Sequence, residues 1–405
     1  MKQRRILMLP GPNEPYPEIL ESIQRMVLPH YGDIWNEMYS ETCEEMKKIF
    51  MTKSDIIIWP ASGASATELV AANIVESGDK VINVNTGFFG KNFEDKIKDN
   101  GGKVVSVESE FGRSVDLEKI REAIRENRDA KAIFVVHNET SSGALNPIKE
   151  IGEIAEEYDL LYIVDAISSL GGSELRMDDW NIDVCVGYAS KCLGSLPALS
   201  PIAINEKVWE LVEKRRQPVK PYFLNLPTWK TLRWGGPHPL TMPTLNLLAL
   251  RMAINLALKE GLSKRFRRHY IAGKATREGV KAMGLKVLPR EEEAADSVTA
   301  VLVPEGTESK IRSLLEEKFN IMVGGSLWEY GKDKLLRIGH MGVTASPEYV
   351  VPTIYALEQV VNELNISSSG GEGVKAAMEV FKENNEEWIN SLLTRFSFKT
   401  LPENL

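Results

Sequence analysis

The sequence predicts an α/β protein: a mostly parallel, doubly wound sheet joined to a smaller C-terminal α+β domain. Two observations predict it. From about residue 54 to 205, short β-branched runs alternate with longer helix-like stretches, the pattern of strands covered on both faces by crossover helices. Beyond residue 245, a long helical stretch gives way to short strands interleaved with helices.

The strand runs fall at 56–59, 80–84, 104–107, 132–136, 161–164, 184–186 and 202–204. Helix-like segments lie between several of them, at 67–76, 117–126 and 148–158. Residues 206–245 are Pro-rich and read as irregular. The helical stretch 244–282 is broken near Gly261, and further helices are expected at 308–319 and 347–364. The run "SSSGGEG" at 367–373 reads as a flexible linker. A tail helix should follow, with Val374, Ala377, Met378, Phe381, Trp388, Ile389 and Leu392 on one face. The expected organisation is an N-terminal arm (1–20), a large ligand-binding domain (21–255), a small domain (256–366), and a linker with the tail helix (367–405).

With 405 residues, the chain has length for two or three domains and a core large enough for an enzyme. Hydrophobic residues make up 43% and charged residues 26%, ordinary values for a globular protein in water. A net charge of −8 argues against nucleic acid or an anionic membrane surface as a partner. No run approaches the ~18 apolar residues of a membrane helix, and the apolar stretch 6–9 is too short for a secretion signal. Three cysteines (Cys43, Cys185, Cys192) without a CxxC pair imply a reducing compartment, by default the cytoplasm. The five histidines show no metal-ligand spacing, so no metal is expected.

Ligands of doubly wound sheets sit at the carboxyl ends of the strands, so the residues that follow each strand carry the functional question. The first strand is followed by Ser62, Gly63 and Ala64 at the head of a helix, with Ser65 close behind, an arrangement that offers free N–H groups to an anion. It is neither GxGxxG nor GxxxxGK[ST], so dinucleotide and P-loop readings lose support. The second strand leads to Phe89, which is either packing or a plate for an aromatic ligand. The fourth leads to the polar cluster "HNETSSGALNP", and the fifth ends in Asp165, a helix cap or an acid aimed at a cationic ligand. The sixth leads to "YASKCLG" and Lys191. An anion cup, an aromatic plate, a polar cluster, a carboxylate and an amine together meet the needs of pyridoxal 5'-phosphate.

The segments "SGASATELVAANIVESGDKVINVNTGFFG", "HNETSSGALNPI", "VDAISSLGG", "YASKCLG" and "LLRIGHMG" occur in order along nearly the whole chain. In them the sequence resembles the class V, fold type I aminotransferases, the alanine–glyoxylate and serine–pyruvate group. The resemblance implies pyridoxal 5'-phosphate as cofactor, with Lys191 bonding it covalently and Asp165 on its ring nitrogen. It further implies Phe89 stacked on one ring face and Ile167 on the other, Thr140 at the ring hydroxyl, and Ser62, Gly63 and Ala64 at the phosphate. Arg337 corresponds to the arginine that takes the substrate carboxylate. Thr241 matches a phosphate contact supplied by a second subunit, and His238 stands where the family often has Tyr, so a homodimer with shared sites is implied. Ser190 stands where the family commonly has Gln, and Ala64 where His is frequent.

The activity implied is transfer of an amino group from a small neutral L-amino acid, alanine or serine, to glyoxylate or pyruvate. "KCLG", "RIGHMG" and the tail also resemble pyridoxamine–pyruvate aminotransferase, which uses the unphosphorylated vitamer as substrate. A cup that rejects phosphate should carry an acid or a bulky group, whereas Ser62, Gly63 and Ala64 stand here. A lyase of the cysteine desulfurase kind would need a mobile, exposed thiol near the cofactor.

Overall fold

The computed structural model describes residues 5–24, 27–220, 222–234 and 238–384. An N-terminal strand β1 (Ile6–Met8) precedes helices α1 (Pro17–Ser22) and α2 (Asp33–Phe50). Next come β2 (Asp55–Trp59), α3 (Gly63–Ile74), β3 (Lys80–Asn85), α4 (Phe88–Asp99), β4 (Lys103–Glu108), α5 (Leu117–Glu126) and β5 (Ala130–Val136). A two-residue ladder, β6 (Asn138–Glu139) with β7 (Ala144–Leu145), leads into α6 (Ile148–Glu157). The large sheet is completed by β8 (Leu161–Asp165), β9 (Val184–Val186) and β10 (Ser200–Ile204).

These strands form a seven-stranded sheet in the order β2-β10-β9-β8-β5-β3-β4. Only β10 runs antiparallel to its neighbours. The carboxyl ends of β2, β3, β5, β8 and β9 therefore all open on one edge. In register, Val136 pairs with Asp165 and Asp165 with Val186, so the two central connections leave the sheet side by side. β8, β9 and β10 are buried along their whole length, as expected of strands covered on both faces. Each crossover helix buries one stripe: α5, capped by Asp116 on Glu118 N at 3.0 Å, presents Ile120 and Ile124 to the sheet.

The stretch after β10, which reads as irregular, opens with a helix, α7 (Glu206–Glu213). The Asn205 side chain caps it by accepting from Val208 N at 3.0 Å, and Val208, Trp209 and Val212 form its buried stripe. The Pro-rich context hides an ordinary capped, amphipathic helix. Two helices, α8 (Thr244–Glu260) and α9 (Leu262–Ala282), follow and are separated at Gly261, whose φ of +87° stops the first.

The C-terminal part contains β11 (Lys286–Val287), β12 (Val298–Leu302), α10 (Glu308–Phe319), β13 (Ile321–Val323), β14 (Leu335–Gly339), α11 (Pro347–Glu363) and α12 (Glu372–Glu383). β12 lies between β11 and β14, antiparallel to both. β1 returns from the amino end to pair in parallel with β13. One large apolar cluster fills both faces of the seven-stranded sheet, and a second joins Met8, α9, β12, α10, β14, α11 and α12.

The join between these parts is polar. Glu260, the last residue of α8, accepts from Arg265 Nη1 at 2.8 Å and from Arg268 Nε at 2.5 Å. All three side chains are buried; burial pushes the Glu260 carboxyl up, and the two cations overcome it and hold the group well below the usual carboxylate range. Arg265 donates to Gly171 O (2.8 Å) and Cys192 O (2.6 Å), while Arg268 donates to Gly342 O (2.7 Å) and Ala345 O (2.9 Å).

The Ser/Gly stretch before α12 is held in place. Buried Glu358 accepts from Gly371 N (3.2 Å), Gly373 N (3.0 Å) and Ser369 Oγ, and Ser367 Oγ donates to Met283 O. α12 docks on α9 and α11 through Ala377, Val380 and Phe381, with Val374 partly buried. Met378 faces outward at 55% exposure, because the buried stripe of α12 runs through Gly373, Ala377, Val380 and Phe381 and leaves Met378 on its flank. Trp388, Ile389 and Leu392 lie outside the described residues.

Replacing Glu358 by Ala is expected to leave the two amides without an acceptor and to cost about 1–3 kcal/mol, read as a lower denaturation midpoint with the sheet's far-ultraviolet signal unchanged.

Candidate active site

Five strand ends build the site. At the end of β2, α3 begins with Ser62 as its cap, accepting from Ser65 N at 3.4 Å, and the first N–H groups, those of Gly63 and Ala64, point out of the helix. Ser65 is spent locally: its hydroxyl donates to Ser62 O and accepts from Trp59 Nε1. Gly63 lies against Ile167, and a Cβ added there would come within 2.5 Å of Ile167 Cδ1. The helix head and Ile167, two residues beyond Asp165, thus meet with no room for a side chain between them.

At the end of β3, Phe89 is half-buried, edge-on to Phe88 at 5.1 Å between ring centroids. Its turn is held by Glu139 from β6. That carboxylate accepts from Phe89 N (3.0 Å), Gly90 N (3.0 Å), Ser141 N (3.1 Å) and Ser141 Oγ (2.5 Å). Burial raises the Glu139 pKa, and these donors oppose the shift. Glu139 therefore caps α4 from outside the helix and fixes the angle at which Phe89 enters the site. It was visible only as part of the polar cluster after β5; nothing in the sequence says that its partners are 50 residues away.

Next to it, Thr140 is buried and donates to Ser168 Oγ at 2.5 Å, which leaves the Thr140 oxygen lone pairs available. At the end of β8, Asp165 is 6% exposed and its Oδ1 accepts from Ile167 N at 2.9 Å. Its other oxygen makes no hydrogen bond among the described residues. Burial raises the Asp165 pKa to about 6, against the lowering effect of Lys96 and Lys191. The local Asx contact to Ile167 N is the helix-cap geometry the sequence allows, but it occupies one oxygen only.

Lys191 follows β9. Its Nζ donates to Pro10 O, and Asn13 Nδ2 donates to Lys191 O at 3.1 Å and to Met341 O at 2.9 Å. Burial pushes the ammonium down to about 8, Arg337 adds to the lowering, and Cys192 and Asp165 oppose it. Ser190 is buried, and its Oγ has no hydrogen-bond partner among the described residues. The contribution of the amino-terminal segment was not foreseen. "LPGPNEP" carries a loop signature, but the β1–β13 pairing and the Asn13 hydrogen bonds, which draw it across the site, are tertiary.

Arg337 arrives from β14 and is 7% exposed. Its Nε donates to Gly325 O (2.6 Å) and its Nη1 to Thr140 O (3.1 Å), and no carboxylate lies within 4 Å of it among the described residues. Burial lowers its pKa to about 10, with Glu139 and Glu308 acting in the opposite direction. This is no surface ion pair. It is a buried fork aimed by two carbonyls, with its charge left for an incoming anion.

The remaining expected residues stand apart. His238 packs against Trp35 and Tyr39 of α2 at 5.4 and 4.4 Å between centroids, and burial lowers its pKa to about 4. Thr241 is exposed. Neither forms a hydrogen bond to Lys191, Asp165 or the head of α3 among the described residues. Cys43, Cys185 and Cys192 are all buried, and burial pushes the Cys192 thiol up to about 12, so no reactive thiol faces the site. No group of three metal-binding side chains occurs among the described residues. No helix among them is long and apolar enough to cross a membrane.

The family profile Aminotransferase class-V matches residues 16–327. The chain belongs to the class V aminotransferases. An uncharacterised aminotransferase of Methanocaldococcus jannaschii is 38% identical over 379 residues, 93% of this chain and 97% of that protein. Among solved structures, the ureidoglycine–glyoxylate aminotransferase of Bacillus subtilis superposes with a TM-score of 0.89 at 31% identity, covering 94% of this chain and 99% of that one. The pyridoxamine–pyruvate aminotransferase of Mesorhizobium loti gives a TM-score of 0.89 at 28% identity, with 94% and 97% covered. In this class V aminotransferase the fold is thus the fold type I arrangement, with the carboxyl ends of the sheet as its open edge.

Two outcomes follow. Acetylation of Lys191 in the protein without added ligands, followed by peptide mapping, should reach half its plateau rate near pH 8; in Arg337→Leu the midpoint should move upward, because a repelling cation has gone. Gly11, at φ +112°, lies under the Lys191 stem, and an added Cβ would overlap Nζ and Cε. Gly11→Ala should therefore cut transamination at least tenfold while the protein remains folded, checked by steady-state rates beside a melting curve.

Proposed function

We propose that this class V aminotransferase uses pyridoxal 5'-phosphate to move the amino group of a small neutral L-amino acid, alanine or serine, to glyoxylate or pyruvate. One observation carries the reading: an amine of lowered pKa, a buried carboxylate with one unengaged oxygen and a buried guanidinium without an acid partner converge on the same strand ends. The fit to the cofactor is supported by the orphaned Ser190 Oγ and by the open N–H groups at the head of α3, which suit a phosphate. Small residues at Ser62, Gly63 and Ala64 leave the anion cup free of acid and bulk, which favours the phosphorylated vitamer over the free one.

When bound, the cofactor supplies an aldehyde for the substrate amine and a protonated ring that accepts the electron pair released at the α-carbon. The chain's residues do the rest. Phe89 and Ile167 would hold the two faces of the ring, and Thr140 would receive the ring hydroxyl. Asp165, ionised above its pKa of about 6, holds the proton on the ring nitrogen. Lys191, with a pKa near 8, is partly neutral at physiological pH and can take the proton from the substrate α-carbon and give one back. Arg337 offers two parallel N–H donors to the substrate carboxylate, and the Gly325 and Thr140 carbonyls orient it.

His238 and Thr241 would reach a cofactor only across a dimer, and Val27, Tyr31 and Ile34, all at least 70% exposed near α2, supply apolar surface for one. The free thiols suit a cytoplasmic setting.

Borohydride reduction of the cofactor-loaded protein should leave the adduct on the peptide carrying Lys191, and a label found elsewhere overturns the reading. Asp165→Ala should lower kcat by two or more orders of magnitude with a smaller change in phosphate affinity. Arg337→Ala should raise KM for the amino acid, because a charge-assisted pair worth about 1.5–3 kcal/mol is lost.

A further inference from the structure

Outside the catalytic assignment, one buried cation of the described chain has no carboxylate partner. Lys96 lies on α4 at 8% exposure, on the same stripe as Phe93 and Ile97, where an apolar side chain would be expected. Its Nζ donates to Thr67 Oγ1 on α3 at 2.5 Å, and Thr67 Oγ1 donates in turn to Ala64 O at 2.9 Å. No carboxylate lies within 4 Å of this ammonium among the described residues. Apart from Arg337 in the site, the other buried cations of the described chain contact a carboxylate, as Arg265 and Arg268 do with Glu260 and Arg277 does with Glu291. A buried ammonium held by one hydroxyl is costly for the fold, so its charge calls for a function.

The layout says what that charge faces. α4 packs on β3, β5 and α3, and β8 flanks β5 with Asp165 at its end. The carboxylates whose fields reach Lys96 are Asp165 on β8 and Glu68 on α3, and burial lowers the Lys96 pKa against both. Around Asp165 the charged and titratable groups are Lys96 from α4, Glu139 from β6, Lys191 from the loop after β9 and Cys185 from β9. His137, also buried, meets Asp165 through its backbone N–H and stays neutral because burial lowers its pKa to about 3. Of the two cations, Lys96 acts on Asp165 more strongly than Lys191 does. Lys96 is also the one not consumed by chemistry.

We propose that Lys96 is a positioning residue: from between α3 and α4 its ammonium supplies the positive charge that keeps Asp165 ionised against the ring nitrogen of the cofactor. The inference rests on the cofactor reading above. Lys191 must lose its charge to act as a base, and Glu139 repels a charge on Asp165. Lys96 offsets both from a position nearly closed to solvent.

The test compares Lys96→Met and Lys96→Gln with the parent protein. Gln keeps a donor for Thr67 Oγ1 and loses only the charge; Met loses both. Both should move the acid limb of the kcat profile to higher pH by about one unit. A second readout needs no turnover: the ultraviolet spectrum of bound 4-deoxypyridoxine 5'-phosphate reports ring-nitrogen protonation, and near neutral pH both variants should show a smaller ring-protonated fraction than the parent, because a carboxyl of raised pKa keeps the shared proton on Asp165. The melting midpoint of the apoprotein should hold or rise in Lys96→Met, since a desolvated charge has been removed. An acid limb and an analogue spectrum that stay in place in Lys96→Gln overturn the proposal. Asp165→Ala, run alongside, separates the two levels: if it is impaired while the Lys96 variants behave as parent, the Lys96 role fails alone, and if it too behaves as parent, both fall.

Discussion

The structure depends on one buried carboxylate between two buried guanidinium groups. Glu260 holds Arg265 and Arg268, and those arginines hold the carbonyls of the loop after Lys191 and of the loop after β14. Tyr16 of the amino-terminal segment accepts from both arginines, at 3.2 and 3.0 Å. The amine of the site, the strand that carries its guanidinium and the segment that covers it therefore share one anchor. Removing either sign from such a cluster strands the other in the core, which is far costlier than breaking a surface pair. The break at Gly261 makes the anchor possible, because it turns the first two turns of α9 back onto the last residue of α8.

The site built on that anchor is a balance of charges with little water to screen them. Lys191 and Arg337 repel each other, which favours a neutral amine; Asp165 and Glu139 also repel, which disfavours a double anion. Each group is aimed by backbone rather than by an opposite charge in contact: Arg337 by the Gly325 and Thr140 carbonyls, Asp165 by Ile167 N, Glu139 by the Phe89 and Gly90 amides. Contact ion pairs would quench these charges, whereas amides and carbonyls orient them and leave them available to a ligand. The orienting groups lie at a helix head and in the short connections that leave the strands.

Much of this was legible before folding was considered. The runs at 56–59, 80–84, 132–136, 161–164 and 184–186 each lie within or coincide with a strand of the large sheet, because a strand buried on both faces must be continuously apolar whatever its neighbours. Asp165 could be named because it is a charge directly beyond such a run, and Lys191 because it stands in the loop that follows another. The helix after Asn205 could not, since proline-rich surroundings masked a short amphipathic stripe. Nor could the order in the Ser/Gly stretch, which depends on Glu358 from another helix. Met378 was placed inward by spacing alone, and the packing of α12 on α9 and α11 turned it out.

By itself, the sequence determined the alternation of elements, the residues at the strand ends and the kinds of chemistry those residues support. These are local properties, set by side-chain polarity and backbone preference over a few residues. Only the tertiary structure decided that Pro10 and Asn13 cover Lys191, that Glu139 sets the Phe89 turn, and that a lysine on an apolar stripe is buried against Thr67 within the field of Asp165. Such contacts join residues 50 to 180 positions apart. Their energies come from burial and mutual distance, and neither exists until the chain has closed on itself.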